Sequence, residues 1–416
     1  MPRGDDRFPG WRVVAACFVV LSTTAGLGFY GLAVYLNAFS KEHGWEVASI
    51  SLATTLFFCV AGVSGLVVAR LIARHDARIV VVGGGVVGAL ALALLGQVGE
   101  QWQLFVVYAV FAMGFSAAGL VPASTVVTRW FHVRRSVALS VASTGLSVGG
   151  ILFTPFAKWL LDERGLASGT VWLGVIWFLG TVPITVALLR PDPAALGWLP
   201  DGVRAVDGEP TPAVYGTLFD QAVRTRFFYA VTFGYVLVLG SQVGAIQQLV
   251  KLMEERTGPG AATLATTFLA GTSVVARLVG GRVAMRVELM RIAVVLSVVQ
   301  AMALASIAVL EVKVGLLAAI VLFGATIGNI LMLQPLLVAE RFGVRDYPRI
   351  FSRSQFVTML GTASGPLLLG WLHDVAGGYR TSYLVAAGCS VTGAAVLTTG
   401  GPARVPGRET DTVAAQ

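Results

Sequence analysis

Residues 190–226 read RPDPAALGWLPDGVRAVDGEPTPAVYGTLFDQAVRTR and form the widest interruption in a chain otherwise built from long apolar runs. Pro191, Pro193, Pro200, Pro210 and Pro212 keep a helix from running through it, so the stretch reads as a linker. A membrane span needs about 20 mostly apolar residues. Six such runs precede the linker, at 11–36, 48–73, 79–99, 104–127, 136–161 and 170–189. Six follow it, at 227–251, 261–285, 292–311, 314–339, 350–372 and 383–399. The pattern predicts an all-α polytopic membrane protein with twelve transmembrane helices. One six-helix bundle covers 1–189, a cytoplasmic linker loop 190–226, and a second bundle with a short cytoplasmic tail 227–416.

Composition agrees. The 416 residues are 56% hydrophobic and only 12% charged, with a mean hydropathy of +0.78. A soluble domain carries about 25% charged residues and has no use for so much apolar surface. Cys17, Cys59 and Cys389 stand far apart inside apolar runs, with neither ligand spacing nor a disulfide framework. The segment before the first run, Met1 to Phe8, is short and polar. No small-residue cleavage site follows that run, so it is expected to be retained as a span.

The net charge of +8 would suit a nucleic-acid surface, but the basic residues sit in short clusters between spans and form no single face. With the N-terminus inside, 22 of the 30 Lys and Arg fall on the inner side and 7 on the outer. Short cytoplasmic loops collect Lys and Arg, so both termini are expected in the cytoplasm, with the chain in the cell (inner) membrane. No nucleic-acid partner is expected. The inner clusters also repeat. Arg70 and Arg282, Arg74 and Arg286, Arg129 and Arg341, Trp159 and Trp371, and Asp162 and Asp374 are each 212 apart, at the same point of either half. Gly145/Gly149 and Gly361/Gly365 repeat at 216. Two parallel six-span halves form a transporter layout, with substrate bound near the midplane.

These features resemble the major facilitator superfamily along essentially the whole chain, and its oxalate/formate-antiporter and monocarboxylate-porter branch more closely. The residues that carry the resemblance are Gly10-Trp11, Arg129-Trp130-Phe131 with Arg134-Arg135, the Gly145…Gly149 helix, the linker segment Pro193 to Gly202, and Gly240-Ser-Gln242-Val-Gly244. It implies the major facilitator fold, with transport of small carboxylates by proton symport or anion exchange. It also implies a cytoplasmic gate at Arg70, Arg74, Arg78, Arg129, Arg282 and Arg286. The chain departs from the pattern in several places. The acid expected beside the loop arginines is Ala73 in one half and Met285 in the other. The Asp of monocarboxylate porters one turn before the span-eight Arg is Ser273, and their span-one Lys falls near Val34. The oxalate carrier's second cation would fall near Thr358.

One basic residue remains, Arg277, about eight residues from the inner end of its span or roughly 12 Å at 1.5 Å per residue. A mid-span Arg costs about 2.5–3.5 kcal/mol on insertion scales and normally faces a cavity or a partner. Its helical face reads Thr266, Ala270, Ser273, Arg277, Gly281, small or hydroxylated throughout. All 22 acidic residues fall in loops or at span ends by these boundaries, which points to an anionic substrate as the counter-charge. The competing reading is an Arg that snorkels or caps carbonyls. Thr23, Tyr30 and Asn37 are seven apart and are expected on one face of span one; Tyr30 matches an aromatic substrate contact of the oxalate carrier by resemblance. Gln242, Asn329, Gln334 and Thr358 are candidates for the same cavity, with interhelical hydrogen bonding the equal alternative. Gly84/Gly88, Gly145/Gly149 and Gly324/Gly328 have the small-xxx-small spacing of packing surfaces.

Two motifs mislead. Gly83-Gly-Gly-Val-Val-Gly88 matches a dinucleotide fingerprint, but its apolar run continues without a turn and no acid follows at the required distance. Gly145-Leu-Ser-Val-Gly149 matches a nucleophile elbow without the strand–turn context, and His43, His75, His132 and His373 all lie near span ends. No Walker A lysine motif is present, and no metal or cofactor is expected. The expectation is a monomeric secondary carrier, not an enzyme, for a small monocarboxylate or related organic anion, with a proton as a second candidate partner and the lipid bilayer as its surroundings. The alternative is an exporter of amphipathic drugs or natural products on the same fold. Span five lacks the Gly-Pro-x-x-Gly-Gly pattern of drug/proton antiporters, which favours the first.

Overall fold

The computed structural model describes residues 8–190, 192–204, 216–257 and 259–403. Arg3, Arg7, Arg404 and Arg408 of the inner basic set, and Pro191, Pro210 and Pro212 of the linker, lie outside the described residues. The chain divides into two compact units, Met1–Ala213 and Val214–Gln416.

The first unit starts with α1 (Gly10–Thr24), which passes through a π-helical turn (Ala25–Tyr30) into α2 (Gly31–His43). α3 (Val47–Arg74) and α4 (Ala77–Leu95) follow. α5 (Gln101–Ala117) and α6 (Leu120–Trp130) make one pass, interrupted at Ala118–Gly119 just before Pro122. α7 (Arg135–Leu188) is broken at Gly165, where φ 72 and ψ 171 are open to glycine, so it crosses twice. A short helix, α8 (Phe219–Ala222), opens the second unit. Then come α9 (Arg226–Thr257), α10 (Pro259–Val283), α11 (Leu289–Val309), α12 (Lys313–Phe342), α13 (Tyr347–Ala376) and α14 (Tyr379–Thr398). Among the described residues, ten helices are long and apolar enough to span a membrane. Two passes complete the set of twelve: the second arm of α7, and α13, whose apolar character is diluted by Arg349, Arg353, Gln355, His373 and Asp374.

Glycines set the helix spacing within each unit. Lipid tails are as apolar as Leu, so helices associate through close van der Waals packing where small residues let backbones approach. A Cβ on Gly145 or Gly149 of α7 would run into the carbonyls of Phe18 and Ser22 on α1. In the second unit, Gly361 and Gly365 of α13 sit in the same way on the carbonyls of Val236 and Gly240 of α9. Gly84 and Gly88 of α4 face Gly114 and Ala117 of α5 and Trp177 of α7, and Gly324 and Gly328 of α12 lie on α10. The glycine pairs singled out in the sequence are thus helix contacts.

The linker is docked at either end. Asp201, at φ 63, accepts hydrogen bonds from the backbone N–H groups of His132 (2.9 Å), Val133 (2.7 Å) and Arg134 (3.1 Å), at the N-terminus of α7. Trp198 packs with Phe8, which also touches Trp130 and Phe131. On the other side, Thr217 N–H donates to the Phe342 carbonyl (2.7 Å) and Phe219 N–H to the Asp346 carboxylate (2.8 Å).

The expected single face of Thr23, Tyr30 and Asn37 is not formed. The π-helical turn closes i→i+5 bonds rather than i→i+4, which shifts the register between Thr23 and Tyr30. Thr23 is buried against Gly180, whereas Tyr30 lies on Gly150 and is 38% exposed.

Candidate functional site

α10 carries Arg277 six residues before its last residue, Val283, about 9 Å from the helix end at 1.5 Å per residue. That is somewhat nearer the end than the span boundaries suggest, because the helix stops at Val283 before Ala284 and Met285. The side chain is 1% exposed. Its Nε–H donates to the Gly328 carbonyl at 3.0 Å, which sets the guanidinium plane against α12. Gly328 permits this. A Cβ there would lie 2.6 Å from the Ser273 carbonyl and 2.9 Å from Arg277 Nε.

Ser273, one turn before Arg277 on the same face, is buried, and its hydroxyl has no hydrogen-bond partner among the described residues. Asn329, next to Gly328, donates from Nδ2 to the carbonyls of Ala276 (2.9 Å) and Ala325 (3.1 Å). Its Oδ1 packs on Gly280 and lacks a hydrogen-bond partner among the described residues. Buried polar atoms of this kind are rare and call for an explanation such as water, an ion or a ligand. α10 and α12 therefore bring Arg277, Ser273 and Asn329 together.

The other candidates fall elsewhere. Thr358 on α13 accepts from Gln334 Nε2 (3.0 Å), which also donates to Ser354 Oγ (3.1 Å). Ser354 in turn accepts from Thr232 Oγ1 at 2.9 Å, so this network joins α9, α12 and α13. Gln242 gives its amide to Gln300 on α11 (2.6 Å). Gln300 then donates to the Val238 carbonyl (3.0 Å) and to Ser390 on α14 (2.9 Å). Spacing along one helix does not show this second network. The lone Gln300 inside the apolar run 292–311 is the signal that points to it. Tyr30 belongs to the first unit, where its ring stands edge-on to Phe29 at 5.0 Å.

At the helix ends, Arg70, Arg74, Arg282 and Arg286 are exposed. Arg78 pairs with Asp76 of its own turn, through Nη2 at 2.9 Å and Nε at 3.1 Å. Asp76 also caps α4 by accepting from the Arg78 backbone N–H at 2.7 Å. Arg129 is half-buried within the electrostatic reach of Asp192 and Asp76. Carboxylates thus reach Arg78 and Arg129 although position 73 is alanine. In the second unit Glu288 takes the place of Asp76 at the same 212-residue offset. It holds Arg291 at 3.4 Å and accepts from the Ala403 N–H at 3.1 Å.

Known proteins similar to this chain are membrane transporters. Human monocarboxylate transporter 11 is 27% identical over 405 residues, covering 92% of this chain and 81% of the relative. Monocarboxylate transporter 13 of Bos taurus is 24% identical, covering 94% and 89%. Among solved structures, the E. coli fucose:proton symporter superposes with a TM-score of 0.70 at 16% identity, over 95% of this chain and 99% of the symporter. A human organic anion transporter gives 0.67 at 15% identity, over 94% and 100%. These two show the shared fold. The profile of the Major Facilitator Superfamily matches residues 16–347, and the chain, a multi-pass membrane transporter, belongs to that superfamily.

Proposed function

We propose that this transporter carries a small monocarboxylate or a related organic anion by alternating access, with the Arg277 guanidinium receiving the carboxylate. The observation that carries the reading is a guanidinium 1% exposed within a membrane-spanning helix, beside two buried polar atoms on Ser273 and Asn329. A charge at that depth is retained at a cost of several kcal/mol, which favours a functional role. A planar guanidinium binds a carboxylate through paired N–H donors, a geometry that lysine lacks. The monocarboxylate-transporter relatives support the same class of cargo. Tyr30, Gln242 and Thr358, which stand apart from this cluster, are proposed as further substrate contacts, and Arg70, Arg74, Arg78, Arg129, Arg282 and Arg286 as the cytoplasmic gate. Both termini then face the cytoplasm and the carrier works as a monomer. Coupling is by anion exchange, facilitated diffusion, or a proton carried on the substrate carboxyl.

Counterflow in proteoliposomes, with a panel of carboxylic acids and a cationic dye as control, tests this reading. Repeating the assay with an imposed pH gradient separates the modes of coupling. Arg277→Gln is expected to lower acid counterflow at least tenfold, and Arg277→Lys to lose most of it, with folding unchanged by size-exclusion profile. Undiminished acid counterflow in both variants, or dye transport without acid transport, overturns the proposal.

A further inference from the structure

The end of the second unit away from its C-terminus holds a cluster of titratable side chains that the proposed carboxylate site does not use. His373, in the last turn of α13, has Nδ1 2.9 Å from Asp374 Oδ1 and Nε2 3.5 Å from Glu255 Oε1 on α9. Its side chain is 18% exposed, open enough to exchange a proton with solvent. α13 turns into α14 through Gly377 (φ 69) and Gly378 (φ 159) alone. A reversal this tight needs glycine, and it brings the Tyr379 ring to 4.3 Å from the imidazole. The Tyr379 hydroxyl donates to Gln248 Oε1 on α9 at 3.0 Å, which fixes that ring.

The imidazole therefore has a carboxylate oxygen at each nitrogen. A neutral imidazole carries a single N–H, so one of its nitrogens would turn a lone pair toward an anion. The imidazolium donates from Nδ1 to Asp374 and places its charge within ion-pair distance of Glu255. Of the other charged groups on the packed helices, Lys251 on α9 lies 4.0 Å from the same Glu255 oxygen and shares that carboxylate with the imidazole. Arg256 is directed away, to the carbonyls of Ile307, Ala308 and Leu310 at the end of α11. The Glu254 side chain lies outside the described residues. On α14, Arg380 is exposed and Tyr379 supplies only its ring face.

We propose that His373, Glu255 and Asp374 form a proton-binding site whose occupation ties the end of α13 to the end of α9, so that transport responds to pH on that side of the membrane. α9 and α13 touch backbone to backbone at Gly240/Gly365 and Val236/Gly361. A bridge between their ends therefore acts on helices with little side-chain padding between them. The site itself does not depend on the identity of the cargo; its transport readout rests on the reading above. With both termini cytoplasmic, the site faces outward.

The test has two arms on the full-length protein. The first needs no substrate: the melting temperature of purified protein is measured at pH 8 and pH 5.5 for wild type, His373→Gln and Glu255→Gln. Wild type is expected to gain about 1 °C or more beyond either variant on acidification. The second arm measures pyruvate counterflow in right-side-out vesicles while only the outer pH is varied. Any proton carried with pyruvate is common to wild type and variants, so the difference between their pH profiles reports the site. Wild type is expected to change by about threefold or more relative to His373→Gln over the range, with His373→Arg held near the acid value. If both variants keep the wild-type acid response in melting, the site is overturned, whatever the second arm shows. If the melting response is lost in the variants but wild type moves no pyruvate, the proton site stands and the carboxylate reading fails for this acid.

Discussion

Gly328 and Arg277 illustrate how one residue depends on another. The guanidinium is placed by a carbonyl that is reachable only because residue 328 has no side chain. Gly328→Ala is expected to cost about 1–3 kcal/mol by overpacking and to push Arg277 off the carbonyl, so that acid counterflow falls together with thermal stability. Gly324→Ala provides the control, since a Cβ there meets the Leu269 carbonyl at 2.8 Å but stands a turn away from the guanidinium contact. It should destabilise comparably while leaving the apparent affinity for the acid near wild type. Equal losses of affinity in both variants would show that Gly328 is a packing residue only. Arg277 itself is legible in the sequence, being the basic residue left inside a span once the others are assigned to loops. Its carbonyl partner Gly328 and the neighbouring Asn329 are not, because they come from a helix about fifty residues away.

At the level of elements, the helices fall within a few residues of the apolar runs, while the breaks inside them do not show in the same way. Hydropathy sees a continuous run through Ala25–Tyr30, yet the chain makes a π-helical turn there, and the seven-residue spacing across it loses its meaning. Gly26, Gly28 and Gly31 let the turn form against Gly149, Trp177 and Tyr35. The fully buried Tyr35 donates its hydroxyl to the Leu27 carbonyl at 2.8 Å and so braces the turn from the following helix. Tyr35→Phe is expected to lower stability by about 1 kcal/mol, the usual net value of such a bond, and to change the reactivity of a cysteine placed at position 30 toward a water-soluble thiol reagent. An unaltered labelling rate in the Tyr35→Phe background would mean that the turn holds its shape without the phenol. The interruption at Ala118–Gly119 is likewise decided by backbone geometry inside apolar sequence, whereas the turn at Gly165 follows Asp162-Glu163-Arg164, the polar gap between the fifth and sixth runs.

For the whole molecule, the linker quoted at the outset has a structural role at both of its ends. Asp201 places one carboxylate on three consecutive N–H groups at the N-terminus of α7, where the helix dipole also favours negative charge. Asp201→Ala is expected to cost about 1–2 kcal/mol, in the range of a lost helix cap, and to speed tryptic cleavage after Arg204. Asp201→Asn keeps one acceptor oxygen and tolerates the left-handed backbone, so it should restore much of the protection. Cleavage at the wild-type rate in Asp201→Ala would show that the aromatic contacts of Trp198 with Phe8 suffice. The amino-acid sequence by itself determined the twelve passes, their grouping into two repeats 212 residues apart, the superfamily, and the buried arginine. All of these follow from the cost of placing charge and backbone in lipid, which is paid residue by residue along the chain. Only the tertiary structure decided that Arg277 meets Gly328, that Gln242 joins Gln300 while Thr358 joins Gln334, and that His373 reaches Glu255 on α9. Each of these depends on which small residue lets a neighbouring helix come close, and side-chain contact between helices leaves no periodic trace in either helix alone.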